Sequence, residues 1–444
     1  MMTFNDLNLN KALLNALADL NFTQPTTIQH KVFGPIMAGK DVIGIAQTGT
    51  GKTLAYLLPL IRLWQFPKRR IPEIIIIVPT RELVAQVVDD ITKLVSYMDL
   101  IPIGVYGETN IKTQMAAINH GADIIVATPG RLMDLMLNGT VMAKNIKKMV
   151  IDEVDEMLNL GFRTQLRNII DMVPLKRQNL MFSATMTEEV ELFIENNFEP
   201  LIKIEAAPTG TPLANITQIA YKVPNFNTKV NFLEYLLSND ASMTKVLVFA
   251  GSKALADDIN DKMEVKFPDR LAVIHSNKSQ NKRFKTVSEF ESGACSILIA
   301  TDLIARGLDV TAVSHVINMD VPPVPENYMH RIGRTGRADK KGIAITFINE
   351  ADGDYKKEIE LLMGRKISMK KLPEDVAISD VLTLDEMPKI NMKTIEIRQN
   401  KVEAKGVSFH EKKDKNKKVN IKITRNDAKK KKYGKKFKKE FRDK

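Results

Sequence analysis

The string AQTGTGKT, residues 46 to 53, follows the apolar run DVIGI and precedes a stretch with helical spacing. Gly49 and Gly51 let the backbone curl so that successive N–H groups along Ala46, Gln47, Thr48, Gly49, Thr50 and Gly51 face a phosphate chain. Lys52 would reach the β- and γ-phosphates, and the Thr53 hydroxyl would bind Mg²⁺. The alternative is an ordinary Gly-rich turn. It is disfavoured by the order of strand, loop, Gly-Lys-Thr and helix. A second stretch, MVIDEVDEML at 149 to 158, is an apolar run that ends in Asp152, Glu153 and Asp155 with no basic residue adjacent. Either something cationic sits there or the stretch is an acidic surface turn. An Mg²⁺·nucleotide complex needs a carboxylate at a neighbouring strand end, which Asp152 supplies, acting on the metal through water. Glu153 is placed to accept the proton of an attacking water. Asp155 is not needed as a third metal ligand.

The elements that must hold these residues are legible as alternating short β-branched runs and longer helical patterns. DVIGIAQ, IIIIVP, DIIVATP, KMVIDE and LMFSAT are apolar on both faces, as buried parallel strands are. RELVAQVVDDITKLVSYM between them has apolar residues at helical spacing. AAPTGTPLAN, 206 to 215, is rich in Pro, Gly and small residues, and after it the strand pattern restarts with KVLVFAGS, LAVIHSN, SILIATD, HVINMD and AITFIN. The expectation is α/β throughout: one doubly wound parallel-sheet domain over 1–205, a linker over 206–215, a second such domain over 216–375, and a C-terminal extension over 376–444. No letter-by-letter repeat links the halves, so any duplication rests on pattern alone.

A chain of 444 residues exceeds what one core usually supports, in keeping with two domains. A single cysteine, Cys295, rules out an internal disulfide framework and fits a reducing compartment. The six histidines are scattered and form no metal-ligand pattern. MMTFNDLNLN lacks the regions of a signal peptide, and no apolar run reaches the length of a membrane span, so a cytoplasmic protein is expected with no membrane partner. The net charge of +12 belongs to the tail: Lys405 to Lys444 holds 18 Lys or Arg against 5 Asp or Glu, whereas residues 1 to 404 are nearly neutral. A neutral body with a Lys-rich tail, expected to be disordered, suggests a catalytic core with a polyanion tether.

In chain order the sequence then shows FTQPTTIQ (22–29), AQTGTGKT (46–53), PTREL (79–83), TPGR (128–131), DEVD (152–155) and SAT (183–185). HSNKSQNKR (275–283), ATDLIARGLD (300–309) and HRIGRTGR (330–337) follow. Over roughly residues 4 to 370 this resembles the DEAD-box ATP-dependent RNA helicases. The resemblance implies two tandem RecA-like domains, ATP and Mg²⁺ as cofactors, RNA as partner, and RNA-stimulated ATP hydrolysis coupled to local duplex unwinding or remodelling of RNA–protein complexes. It suggests ribosome-assembly or RNA-decay proteins as further partners, and a monomeric core.

The Gln29 amide is able to pair with the adenine edge, with Phe4 either stacking on the base or acting as an apolar staple. The resemblance makes this the adenine-reading motif. It implies that the strand-end loops carrying Pro79, Thr80, Arg81, Gly107, Thr128, Gly130 and Arg131 hold the sugar–phosphate backbone, although Arg81 is also a candidate for a surface ion pair. It links the hydroxyls of Ser183 and Thr185 to Asp155, so that Asp155 and His330 couple ATP state to closure. His330, Arg331, Arg334 and Arg337 form a cationic cluster from which Arg334 and Arg337 are assigned as arginine fingers. The alternative there is a salt-bridged helix start. The resemblance also implies that Asp309 approaches the ribose, while Gln280, Arg283 and Thr301 face RNA.

Three residues depart from the family pattern. Val154 replaces Ala in the acidic box and adds bulk to a packed position. Glu108 follows Gly107 where paired glycines are usual, and an acid pointing inward there would repel a phosphate. Ser276 replaces a glycine. Two other functions compete with the helicase reading. A DNA helicase or translocase shares the phosphate loop but not PTTIQ or HRIGRTGR, and an ATP-independent strand annealer would need only the tail.

Overall fold

The isoleucines of IIIIVP go alternately to opposite faces: Ile74 and Ile76 join one apolar cluster, Ile75 and Ile77 another. That is the period-two geometry of a strand covered on both sides, and it explains why the run carries no polar residue. The computed structural model describes residues 3–47, 49–206, 215–302, 313–336, 341–383 and 386–387. The first sheet is built from β1 (Val42–Ile45), β2 (Ile74–Ile77), β3 (Pro102–Val105), β4 (Ile124–Ala127), β5 (Lys148–Ile151), β6 (Gln178–Ser183) and β7 (Ile202–Glu205). The second contains β8 (Ile216–Lys222), β9 (Val246–Phe249), β10 (Leu271–Ile274), β11 (Ile297–Ala300), β12 (His315–Asn318), β13 (Gly342–Ile348) and β14 (Ser368–Lys370).

All pairings in both sheets are parallel. The orders are β3-β4-β2-β5-β6-β1-β7 and β10-β11-β9-β12-β13-β8-β14. Subtracting seven from each strand number of the second sheet reproduces the first. The halves therefore share one topology, although their letters do not repeat. Met1–Met387 form one compact unit that holds both sheets.

Four strands, β3, β7, β8 and β14, lie outside the fully apolar runs. Three of them are sheet edges, and β8 is flanked by the three-residue β14. Half-exposed strands need no apolar residue on the open face, and β8 alternates buried and exposed positions accordingly. No helix among the described residues is long and apolar enough to cross a membrane.

The second lobe continues past residue 375. Val376 is buried in the cluster that holds Val223, Phe226 and Val230. Asn225, Asn227 and Asn231 donate side-chain hydrogen bonds to the carbonyls of Ser379, Val381 and Ala377 at 2.5, 2.7 and 2.7 Å. Glu386 accepts from the Phe226 amide at 2.6 Å, at the start of helix Phe226–Asn239. The expected boundary at 375 falls inside this packed segment. Most of the expected linker (207–214) and the Lys-rich tail lie outside the described residues.

Candidate functional site

The expected residues of the first lobe gather at the carboxyl ends of its strands, where open parallel sheets bind ligands. Ala46 follows β1, and its amide donates to the Ser183 carbonyl at the end of β6 at 3.0 Å. The Thr50 hydroxyl closes the loop on the Gln47 carbonyl at 2.6 Å. Gly49 and Gly51 have φ of +81° and +84°, values that L side chains rarely adopt. Gly51 is needed for space as well, because a Cβ there would stand 2.4 Å from Nε2 of Gln29. The loop delivers Lys52 and Thr53 as the first residues of helix Lys52–Leu63, with the positive end of the helix facing the loop.

Gln29 is buried, and both ends of its amide are bonded within the protein. Oε1 accepts from the Thr26 amide at 2.9 Å, as the third residue of a capping box, and Nε2 donates to the Gly51 carbonyl at 3.1 Å. An amide can make four hydrogen bonds, so one N–H and one lone pair remain, which is the pair an adenine edge requires. Phe4 is 5% exposed and belongs to the apolar cluster of this lobe.

Asp152 follows β5 and is buried. Its Oδ2 accepts from the Tyr56 hydroxyl at 3.0 Å and its Oδ1 from the Glu153 amide at 2.9 Å. Burial pushes its carboxyl up, against the pull of Lys52 and these two hydrogen bonds. Glu153 takes a left-handed backbone, φ 53° and ψ 52°, which is strained for a residue with a side chain and marks the turn into helix Val154–Asn159. Its carboxyl is pushed up to about 8, mainly by desolvation, with Lys52 and Arg334 opposing and Asp152 and Glu156 adding to the rise. Val154 is fully buried among Ile151, Met157 and Met181, so the added methyls sit in core.

The Lys52 ammonium is buried and makes no hydrogen bond within the protein. A buried cation without an acceptor, beside carboxyls that burial disfavours in their charged form, fits a ligand that brings both anionic oxygens and a cation. The described residues contain no group of three or more His, Cys, Asp or Glu able to cage a metal. The hydroxyl oxygen of Thr53 and the carboxylate of Asp152 are hard oxygen donors of the kind that fit Mg²⁺, which is commonly held by one or two protein groups together with phosphate oxygens and water.

Asp155 behaves differently from its neighbours. Burial would raise its carboxyl, but His330, Lys52, Thr185 and Ser183 outweigh it and hold the group below the ordinary carboxylate range. Thr185 donates to Oδ2 twice, from its amide at 2.9 Å and its hydroxyl at 2.8 Å. Ser183 also helps to lower the carboxyl, although its hydroxyl makes no hydrogen bond of good geometry. His330 and Arg334, on or just after helix Pro325–Ile332 of the second lobe, are buried and reach the fields of Asp155 and Glu153 respectively. Arg331 is turned away from this site. It bridges Asp302, at 2.6 and 2.7 Å, and Asp320, at 3.2 Å, as an internal brace.

The residues expected along RNA sit at strand ends too. Pro79 is buried, and Thr80 caps helix Arg81–Leu94 through the Leu83 amide at 3.3 Å. Thr128 begins helix Pro129–Leu137, and both Gly107 and Gly130 have open space around the position of a Cβ. Arg131 is buried and holds the loop at 106–110, donating to the Thr109 carbonyl at 3.0 Å and to Gln114 at 2.6 Å. Thr301 is buried just after β11.

Arg81, Gln280 and Arg283 meet one another: Arg81 donates to Gln280 Oε1 at 3.2 Å, and Arg283 also bonds Gln280. Arg283 pairs with buried Glu82 at 3.2 Å. Thr48, Asp309 and Arg337 lie outside the described residues.

Two partners escaped the sequence reading. Tyr56 stands four residues after Lys52, hence on the same helix face, and that spacing is a usable signal. Glu82 gave none, because its partner Arg283 is two hundred residues away in the chain.

Residues 26–193 match the DEAD/DEAH box helicase family, and residues 228–339 match the helicase conserved C-terminal domain. The chain is 36% identical over 413 residues to the DEAD-box ATP-dependent RNA helicase CshA of Geobacillus kaustophilus (strain HTA426), covering 92% of this chain and 85% of that one. It is 36% identical over 384 residues to the DEAD-box ATP-dependent RNA helicase RhpA of Helicobacter pylori (strain ATCC 700392 / 26695), covering 86% and 75%. Among solved structures, S. cerevisiae Dbp5 bound to RNA and ADP BeF3 superposes with a TM-score of 0.77 at 27% identity, over 84% of this chain and 96% of the other. Mss116p bound to ssRNA and AMP-PNP superposes at 0.78 and 27% identity, over 84% and 80%. With both sheets of the tandem RecA-like arrangement in place and the motifs of both lobes brought to one site, the chain belongs to the DEAD-box ATP-dependent RNA helicases.

Proposed function

We propose that the protein hydrolyses ATP when RNA is bound and couples that cycle to local parting of RNA duplexes and remodelling of RNA–protein complexes. The observation that carries this reading is the field of Arg334, from the second lobe, at the carboxyl of Glu153 in the first. Chemistry divided between lobes depends on how the lobes are held, and a ligand that binds both can therefore govern turnover.

In this reading Gln29 selects adenine, the loop 46–51 and Lys52 hold the phosphates, and Glu153 takes the proton of the attacking water. The new bond forms between the water oxygen and the γ-phosphorus while the bond to the β–γ bridging oxygen breaks, releasing ADP and phosphate. Arg334, with Arg337, neutralises charge on the transferring group. Thr53 and Asp152 would hold Mg²⁺, which would supply further charge neutralisation. Asp155, tied to Thr185 and facing His330, joins the nucleotide site to the second lobe. The loops of Thr80, Arg81, Gly107, Thr128, Gly130 and Arg131, with Gln280, Arg283 and Thr301, grip the RNA backbone. Backbone contacts carry no direct sequence information, so substrate choice is broad. The proposed setting is the cytoplasm, with ribosomal precursors or decaying messengers as substrates and ribosome-assembly or RNA-decay proteins as partners.

Steady-state ATPase assays with matched RNA and DNA oligonucleotides test this directly. RNA should stimulate hydrolysis and DNA should not, and Arg334→Ala should reduce the stimulated rate while a fluorescent ATP analogue still binds. Equal stimulation by DNA would overturn the RNA assignment.

A further inference from the structure

Glu108 lies in the loop between β3 and helix Ile111–His120, with φ of +59°. This is the left-handed region, where glycine is at ease and a residue with a side chain is strained. The chain keeps an acid in that conformation, and a strained position of this kind calls for a reason in function. The side chain shows one: Oε1 of Glu108 stands 2.5 Å from Nη2 of Arg81. Arg81 holds the Glu108 carboxyl below its usual range, and Arg283 contributes more weakly.

The pair is asymmetric in its exposure. The Arg81 side chain is 17% exposed and that of Glu108 76%. Nη1 of Arg81 donates to Gln280 Oε1 of the second lobe at 3.2 Å. The guanidinium is thus shared between an inner partner, Gln280, and an outer one, Glu108. Buried Glu82 is already matched by Arg283 at 3.2 Å, which leaves Glu108 as the solvent-side anion of the cluster. Carboxylate and phosphate compete for the same fork of N–H donors on an arginine.

We propose that Glu108 sets RNA affinity in this protein: its carboxylate occupies Arg81 in the free state, and an RNA phosphate binds there by displacing it. The inference rests on the reading of the Arg81 loop as an RNA contact. The barrier is graded, because exposed ion pairs are weak. Their worth corresponds to about a two- to fivefold change in affinity. Glu108 thereby disfavours RNAs that engage this lobe through few phosphates.

The test uses the full chain, a fluorescein-labelled ten-nucleotide oligouridylate, AMP-PNP and Mg²⁺, with anisotropy read at one fixed ionic strength. Glu108→Gln keeps the shape and removes the charge, and it should tighten RNA binding two- to fivefold. In an Arg81→Gln background the same change should have no effect. If Glu108→Gln is silent while Arg81→Gln weakens binding, the inference fails and the RNA role of Arg81 stands. If Glu108→Gln tightens binding equally in both backgrounds, its effect is a general field and the competition is refuted. If Arg81→Gln binds RNA like the parent, both the inference and the reading beneath it fall. Equal melting temperatures across the set show that the fold is intact.

Discussion

The side-chain nitrogen of Gln29 donates to the carbonyl of Gly51 at 3.1 Å, so helix Thr27–Met37 and the loop at 46–51 are joined by a side-chain hydrogen bond. Gln29→Glu keeps the size but sets a carboxylate oxygen against that carbonyl. It should raise the KM for ATP about tenfold or more, as expected when a buried hydrogen bond turns into a repulsion. It should also narrow the preference for ATP over GTP. Gly51→Ala, whose Cβ would stand 2.4 Å from Nε2 of Gln29, should act in the same direction. Unchanged discrimination between ATP and GTP in Gln29→Glu would remove the adenine-reading role.

Tyr56 is a positioning residue for Asp152. Tyr56→Phe leaves the ring packed against Phe182 but removes the only side-chain donor to that carboxylate among the described residues. The cost in stability should be about 1–3 kcal/mol. The Mg²⁺ concentration for half-maximal turnover should rise, since a less well held carboxylate is a poorer partner for the ion. A variant that melts lower but keeps the parent's Mg²⁺ requirement would confine Tyr56 to packing.

Glu153→Gln should lower RNA-stimulated turnover by about 10²- to 10⁴-fold while ATP and RNA still bind, because it deletes the proton acceptor without changing shape. Linkage offers a separate check. The folded carboxyl titrates near 8 against an ordinary value of 4.5, so between these limits the folded protein binds more protons than the unfolded chain. Stability present at low pH is therefore lost as pH rises toward 8. Without ligands, Glu153→Gln should melt above the parent at pH 8, and the gap should close near pH 5. A constant gap across that range would mean that Glu153 carries no such shift.

The acidic limb of kcat/KM for ATP should follow the same carboxyl, rising with pH as Glu153 ionises. Arg334 holds that carboxyl down, so Arg334→Ala should move the limb to higher pH in addition to reducing the rate. Residual turnover of the variant is enough to trace the profile. A limb that stays in place would separate Arg334 from Glu153.

Removing Lys405–Lys444 deletes 18 basic residues against 5 acidic ones. The truncated chain should bind single-stranded RNA more weakly and with a shallower salt dependence, by about 0.7 in log–log slope for each phosphate no longer neutralised. Turnover at saturating RNA should hold, because the proposed nucleotide contacts all precede residue 340. An unchanged salt slope would exclude a tether.

The ten fully apolar strand runs, the phosphate loop and the acidic box were legible in the letters. A buried parallel strand must be apolar on both faces, and a phosphate loop must carry glycines at fixed places. Those are local requirements, and local sequence records them. The edge strands β7 and β14 were not legible, because a half-exposed strand accepts polar residues and loses its signature, while β3 is a short run interrupted by Pro102 and Gly104. The shared order of the two sheets was hidden as well. It is a property of which strands pair, and many apolar sequences satisfy the same pairing.

The site divides along the same line. Lys52, Asp152 and Glu153 announced themselves by type and spacing, as did the hydroxyls at Ser183 and Thr185. Their states did not: the raised carboxyl at Glu153 and the lowered one at Asp155 arise from burial and from groups that include Lys52, Arg334, His330 and Thr185, far away in the chain. Glu108 stood out in the sequence only as an unexpected acid. Its pairing with Arg81, and that of Arg81 with Gln280, required the chain to fold back across 27 and 199 positions. Residue type and spacing determined which chemistry this protein carries. Which groups touch, and therefore which charges survive, was decided only when packing brought distant strand ends together and excluded water between them.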